Sequence, residues 1–392
     1  MMNKIKNYLK RAFHRLSGFK PLAREIIDEY NNSRPYGARK RICYAPFTSM
    51  FINTLGKITP CYANYNEETY PEKNLKEIWF GKQFNKLRKR ICRNDLSNGC
   101  EFCKTFVDNE KVEGILAEKY DNMVFDTDEF PNRKNKVYPK IIEFELSNSC
   151  DTECVMCDGN LSSAIRKNRE KKPPLKNPYG EMFIRQLEDF IPYLKIAEFT
   201  GGSPFLINIY YDIWDMILKL NPDCHILITT SANIMNDKIR NLLDRGLFNF
   251  NISIDSLQKE NYERIRVNAK YENVMRNIQF FHSYCQKKST TLSLLVCPLR
   301  QNWQEFPDFI NFANDLGVKS YFHIAFKPYN LALWSLNPSK LKEIYNELSK
   351  FDFPEETPNQ KINKNNYLKL VQQINTWYDK AVKREKVELN KE

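Results

Sequence analysis

From Lys140 onward the chain alternates between two kinds of segment, and that alternation restricts the fold more than any other feature. Strand-like runs lie at Ile141–Leu146, Ile196–Thr200, His225–Thr229, Phe248–Ile254, Thr291–Val296 and Ser320–Ala325. Between them, Glu181–Tyr193, Ile209–Leu220, Asp237–Arg245, Val274–Lys287 and Glu305–Leu316 carry apolar residues at helical spacing. Such alternation predicts a parallel sheet joined by crossover helices. Six repeats are too few to close an eight-stranded barrel. The expected fold is therefore α/β, a partial (β/α)6 TIM-like barrel over residues 140–330, with its chemistry on the loops after the strand C-termini. Residues 331–392 read as a C-terminal helical segment, with helices at Lys340–Lys350 and Asn366–Arg384.

Charge is unevenly spread. Residues 1–41 hold eleven Lys or Arg against three acids, +8 of the formal +12. Tyr8, Ala12, Ile5, Leu9, Phe13 and Leu16 recur among them at helical spacing. A basic amphipathic helix suits an anionic membrane surface or an acidic partner, and equally suits docking on the protein's own body. No nucleic-acid motif accompanies the charge, so no nucleic-acid partner is expected. No run of about 20 apolar residues is present to cross a membrane, and no secretory signal is expected at the N-terminus. The expected location is the cytoplasm, with the inner face of the membrane as a second site reached through the N-terminal helix. Eleven cysteines, clustered rather than scattered, fit metal ligation in a reducing compartment better than disulfides.

Three of those cysteines, Cys150, Cys154 and Cys157, form C-x3-C-x2-C directly after the first strand of the repeat. Three thiolates on one loop can hold three irons of a cubic 4Fe–4S cluster and leave the fourth iron open to a small molecule. Zinc, or three buried thiols, is the alternative, but a structural zinc site wants a fourth ligand and none lies nearby in sequence. A second set stands N-terminal to it, within residues 42–110. Cys43 and Cys61 flank a stretch with Gly56 at its turn, and Cys100 and Cys103 form C-x2-C. Two cysteines on a hairpin and two on a turn can make a four-thiolate cage. A structural zinc ribbon would use the same four. Cys92 lies off the pattern. Residues 111–139 are polar, contain Pro131 and Pro139, and read as a linker.

The order of motifs resembles the radical S-adenosylmethionine (radical SAM) enzymes over roughly residues 137–330. The three-cysteine loop is the family's defining motif. T-G-G-S-P-F at Thr200–Phe205 is similar to its G-G-E-P segment, and S-I-D-S at Ser253–Ser256 to its S-x-D-G. I-T-T-S-A-N ends the third strand at Asn233, and Tyr262–Arg266 is similar to the stretch whose Arg reaches the S-adenosylmethionine carboxylate. The resemblance implies that the open iron chelates the methionyl amine and carboxylate. One electron then splits the cofactor, and the 5′-deoxyadenosyl radical removes a hydrogen from substrate. Met156, Gly201, Gly202, Ser203, Ser231, Ser253, Asp255 and Arg266 are the expected cofactor contacts. A strand-end cap is an equal reading of Ser253 and Asp255. Two positions depart from the family: Ser203 stands where Glu is usual, and Met156 where an aromatic is usual. The N-terminal cysteines, with I-W-F-G…L-R between Cys61 and Cys100, resemble the SPASM or twitch accessory domains. Four cysteines imply the one-cluster twitch form, here placed before the barrel rather than after it.

These resemblances imply an enzyme, an oxidoreductase or epimerase with two 4Fe–4S clusters, fed by flavodoxin or ferredoxin. The expected reaction is peptide or protein modification by dehydrogenation, cross-linking or epimerisation. A sugar or aminocyclitol substrate in a glycan or natural-product pathway is the alternative. A non-catalytic iron–sulfur or zinc protein that recruits an acidic partner is the rival of another class. Cys297, at the end of the fifth strand, is a candidate hydrogen donor to a substrate radical; burial as a small apolar residue is the bland reading. Tyr321, His323 and Lys327 share one strand face, with Tyr321 and His323 as candidate catalytic groups. Cys224 and Cys285 read as structural.

Overall fold

In a computed structural model of the chain, the structure describes residues 20–35, 37–108, 115–123, 137–325 and 327–389. The expected N-terminal amphipathic helix, Ile5 to Leu16, lies outside the described residues. The strands are β1 (Ser49–Ile52), β2 (Lys57–Thr59), β3 (Glu68–Thr69), β4 (Ile141–Phe144), β5 (Glu153–Cys154), β6 (Ile196–Phe199), β7 (His225–Thr230), β8 (Phe248–Ser253), β9 (Arg266–Val267), β10 (Leu292–Val296) and β11 (Lys319–Phe322). All six strands of the expected repeat are present, and the fold is α/β with a largely parallel sheet. By contacts the chain divides into two compact units.

The first unit holds the described residues up to Leu146, with Lys176–Glu198 and Tyr211–Cys224. Its strands run in the order β6–β4–β1–β2–β3. β1 and β2 form the antiparallel hairpin expected around Gly56, with Phe51 facing Thr59. Gly56 has φ +77°, and a Cβ there would sit 2.4 Å from the Tyr70 carbonyl, so only glycine makes this turn. β1 also pairs in parallel with β4, Ser49 beside Ile141. The cysteine-bearing hairpin thus extends the strand that opens the repeat, and the units do not divide at the sequence-based boundaries. Residues 115–123, inside the stretch expected to be a linker, instead pack inward: Ile115, Ala117 and Tyr120 are buried. The helix expected over Glu181–Tyr193 stops at Leu187, and a short 3₁₀ turn at Ile191–Tyr193 holds Pro192, whose missing N–H a helix interior would not tolerate.

The second unit comprises Ser147–Leu175, Phe199–Tyr210 and His225–Glu392. Its strands β7, β8, β10 and β11 lie side by side in that order, all parallel. In β8, Phe248, Phe250 and Ile252 are buried, and Phe250 meets Phe281 of helix Tyr271–Lys288 with ring centroids 4.4 Å apart. Asn249, Asn251 and Ser253 alternate onto the other face, as the strand period requires. Helix Asp237–Arg245 forms as expected because Asn236 accepts from the Ile239 N–H at its start. Helices Ser163–Asn168 and Lys259–Ile265 were not foreseen. The last helix begins at Pro358 rather than Asn366, because Thr357 and Gln360 form a reciprocal cap: the Thr357 N–H donates to Gln360 Oε1 and the Gln360 N–H to Thr357 Oγ1. Two side chains of this helix serve the β11 edge. Asn363 Oδ1 accepts from the Ser320 N–H at 2.7 Å, its Nδ2 donates to the Val318 carbonyl, and Asn366 Nδ2 donates to the Ser320 carbonyl.

Candidate active site and a cysteine cage

The loop after β4 is fixed by its neighbours before any ligand is considered. The Gly202 N–H donates to the Ser147 carbonyl at 3.1 Å and the Ser203 N–H to the Ser149 carbonyl at 2.7 Å. A Cβ on Gly202 would lie 2.2 Å from the Ser149 oxygen, so this glycine is needed where two backbones touch. Gly201 has φ +95°. β5 pairs with β9, which sets Cys154 beside Arg266. Thr152 Oγ1 stands 3.3 Å from Cys150 Sγ and 3.6 Å from Cys154 Sγ, and the Cys157 N–H closes a turn onto the Cys154 carbonyl. Burial raises the Cys154 thiol and pushes Cys157 up to about 12, and the neighbouring thiols add to both shifts. Arg266, with Nη1 3.8 Å from Cys154 Sγ, pulls Cys154 the other way. Thiols crowded so that ionisation is mutually unfavourable are relieved by a cationic cluster, which binds them as thiolates. The loop fits the group that the sequence implied.

Other expected residues fall around this loop. Asp255 is fully buried; its Oδ1 accepts from the Cys297 N–H at 2.7 Å and its Oδ2 pairs with Arg266 Nη2 at 2.6 Å. The Arg266 fork, expected to face a cofactor carboxylate, thus holds a carboxylate of its own chain, and its buried Nε has no hydrogen-bond partner. Burial, then Asp255, raises the Cys297 thiol, with Arg266 opposing and Cys154 adding to the rise. Cys297 therefore shares the electrostatic surroundings of the triplet. Met156, Ser231 and Ser253 are half-buried at strand ends or in loops. Tyr321 and His323, with Asn251, Ser293 and Lys319, line a cavity of about 740 Å³ whose walls include none of the three cysteines, and the register sets Tyr321 beside Leu295, itself beside Ser253. Burial raises the Tyr321 hydroxyl. Cys224 and Cys285 are buried. Sequence reasoning passed over Asp151 and Asn233. Ser203 Oγ donates to Asp151 Oδ1 at 2.8 Å and Asn233 Nδ2 to Asp151 Oδ2 at 2.6 Å. The signal was present in Ser203 itself, an uncharged residue where a carboxylate was expected.

In the first unit, Cys43, Cys61, Cys100 and Cys103 line one small cavity with Ile42, Leu96, Ile115, Ala117 and Tyr120. Cys92 is exposed and outside it. Burial raises all four thiols, Cys61 to about 12, and at Cys43 each of the other three adds to the rise. Backbone N–H groups oppose the rise: Ala63 and Asn64 at Cys61, Leu116 and Ala117 at Cys103. Asn64 Nδ2 donates to Cys100 Sγ at 3.3 Å. Two buried arginines brace the cage. Arg88, the arginine of the L-R motif, donates to the Pro46 and Trp79 carbonyls and lies 4.3 Å over the Trp79 ring. Arg34 pairs with Asp121 at 2.9 Å and donates to the Arg41 and Ile42 carbonyls just before Cys43. Arg34 and Arg41, counted in the basic N-terminal charge, are thus buried. Zinc at about 2.3 Å from each sulfur would draw four thiols tightly together. Among the described residues no group of three or more His, Cys, Asp or Glu is arranged for a single ion. Four thiols around one cavity are a donor set for an iron–sulfur cluster as well as for zinc.

Comparison with known proteins gives the same reading. The profile of the radical SAM superfamily matches residues 144–313, and that of SPASM, an iron-sulfur cluster-binding domain, matches residues 43–104. The chain belongs to the radical SAM superfamily. It is a radical SAM enzyme with a SPASM/twitch-like cluster-binding domain, and its cofactors are S-adenosylmethionine and 4Fe–4S clusters. It is 27% identical over 197 residues to a GTP 3',8-cyclase of Limosilactobacillus fermentum, covering 49% of this chain and 55% of that one. It is 24% identical over 189 residues to the molybdenum cofactor biosynthesis protein moc-5 of Caenorhabditis elegans, covering 48% and 30%. The chain therefore spans about half or less of the length of the curated relatives it matches. The solved structure described as "Native anSMEcpe with bound AdoMet" aligns with TM-score 0.42 at 14% identity, over 54% of this chain and 59% of that one. Among the described residues, no helix is long and apolar enough to cross a membrane.

Proposed function

We propose that this radical SAM enzyme oxidises its substrate at an unactivated C–H bond, and that the substrate is a peptide or protein side chain. The observation that carries the oxidative reading is the contrast between the two cysteine sets. Three thiols on the β4 loop leave a cubic cluster one open corner, whereas four thiols in the N-terminal cage leave none. A cluster without an open corner can only exchange electrons, and net oxidation is the outcome that needs such an acceptor. When bound, the open cluster and S-adenosylmethionine supply hydrogen-atom abstraction. The chain's own residues fix the thiols, through Thr152, Ser203 and Arg266, and seat the loop on Gly202. A peptide substrate rests on the SPASM match, whose relatives modify peptides, aminocyclitols and sugars, and a sugar is the alternative. Flavodoxin or ferredoxin is the proposed reductant. The relatives' names suggest a purine nucleotide as a further candidate, on an overlap confined to half of this chain.

The test is product analysis with anaerobically reconstituted protein and candidate peptides. A product lighter by two hydrogens supports net oxidation; a product of unchanged mass and inverted stereochemistry supports epimerisation. The second outcome has one observation in its favour, the hydrogen bond from the Cys297 N–H to Asp255, whose other oxygen pairs with Arg266. If Cys297 donates the returning hydrogen, Cys297→Ala should abolish inversion while leaving S-adenosylmethionine cleavage intact. Retention of the same product by that variant removes Cys297 from the chemistry.

A further inference from the structure

We propose that Asp151 is the residue that binds the methionyl amine of S-adenosylmethionine, carrying the negative charge that Ser203 lacks. The assignment rests on the reading of Cys150, Cys154 and Cys157 as the cluster loop that receives this cofactor.

Among the described residues, four carboxylates besides Asp151 lie on or beside that loop; Glu170 accepts from the Gly159 N–H and pairs with Lys172. Asp255 is closed against Arg266. Glu153 is buried and accepts from the Asn168 and Asn268 amides. Asp158 accepts from the Asn160 N–H. Asp151 differs in how it is held: Glu153 takes both of its amides on Oε1, whereas the half-buried Asp151 takes one donor on each oxygen, Ser203 Oγ on Oδ1 and Asn233 Nδ2 on Oδ2. Those two groups arrive from the ends of different strands. Ser203 follows β6 and is anchored by its own N–H on the Ser149 carbonyl. Asn233 follows β7, and its Oδ1 accepts from the Lys270 N–H at 3.2 Å. The carboxylate is therefore aimed from two sides, one donor on each oxygen, and each oxygen keeps a lone pair for another donor. Ser203 Oγ also lies 3.7 Å from Cys150 Sγ, so the carboxylate is tied to the thiol that starts the cluster motif.

A carboxylate placed beside three thiolates is unfavourable by itself, because like charges disfavour each other. Such a group is stabilised by a positively polarised donor, and a methionyl amine held at the open iron would present N–H groups of that kind. At position 203 a glutamate would supply the charge directly. Here a serine relays to an aspartate on the adjoining loop, so the charge reaches the site from the cysteine motif.

The experiment uses full-length protein, reconstituted anaerobically, and measures dissociation constants for S-adenosylmethionine and its desamino analogue by equilibrium dialysis, with iron content as a check. Asp151→Asn should weaken S-adenosylmethionine by about 10- to 100-fold, the loss of one charge-assisted hydrogen bond, and leave the analogue unchanged. Restoring a carboxylate on the other loop, in the double variant Asp151→Asn with Ser203→Glu, should recover most of the affinity. Equal losses for both ligands would mark Asp151 as a loop clamp and overturn the assignment, as would no loss for either. If Asp151→Asn alone fails to hold iron, the double variant decides: iron without recovered affinity overturns the assignment. Wild-type protein that holds iron but no S-adenosylmethionine sinks the underlying site; wild-type binding that Asp151→Asn leaves unchanged sinks only Asp151.

Discussion

The two cysteine sets differ in what surrounds them. The β4 loop carries its three cysteines within eight consecutive residues, and its sulfurs face hydroxyls and charges: Thr152, Ser203 and Arg266. The N-terminal cage gathers four cysteines from Cys43 to Cys103, walled by Ile42, Leu96, Ile115, Ala117 and Tyr120. A polar, one-sided setting can address a ligand; an apolar, four-sided one excludes it. The contrast also shows in what holds each set. Side chains and a paired strand fix the first, and backbone N–H groups and two buried arginines fix the second.

The largest test of this contrast removes each set in turn. Reconstituted wild-type protein should hold about 8 iron and 8 sulfide, and either set of substitutions about 4. Cys150→Ala should abolish formation of 5′-deoxyadenosine. Cys100→Ala with Cys103→Ala should leave slow cleavage in place while ending substrate oxidation. Cleavage that survives Cys150→Ala would break the comparison. Next in size is the brace of the cage. Arg34→Met leaves Asp121 buried without its cation, so stability to urea should fall by about 3–5 kcal/mol, with auxiliary iron lost first. Smallest is Gly202→Ala, whose methyl must displace the Ser149 backbone. We expect a loss of about 1–3 kcal/mol, with weaker S-adenosylmethionine binding and an undisturbed N-terminal cage. Equal iron loss from both sets would show that they do not act separately.

The second unit was legible where local signals agree. Helix Asp237–Arg245 lies between Asn236 and Gly246, a cap and a stop, and its bounds follow from them. The C-x3-C-x2-C run names its own role because all three ligands share one loop. Legibility failed where the partner lies far along the chain. Nothing in S-M-F-I announces that β1 will pair with β4, and nothing in Arg266 announces Asp255. Ile115, Ala117 and Tyr120 were passed over because they sit in a longer stretch that is polar, and their burial is decided by what they pack on. Tyr321 and His323 line one cavity, as their shared strand face requires, but the substrate that such a face would meet is not written in it. Parity tells which residues travel together, not where they arrive.

The asparagines on the last helix also bear on how the protein survives damage. A row of unpaired amides on a border strand is a template for another chain, and here Asn363 and Asn366 counterfeit the missing neighbour by meeting the backbone of Val318 and Ser320. Proteolytic loss of everything beyond Phe353 would strip that disguise from β11. The truncated molecule would keep every cysteine and yet become sticky, recruiting its own copies along a newly bared ribbon.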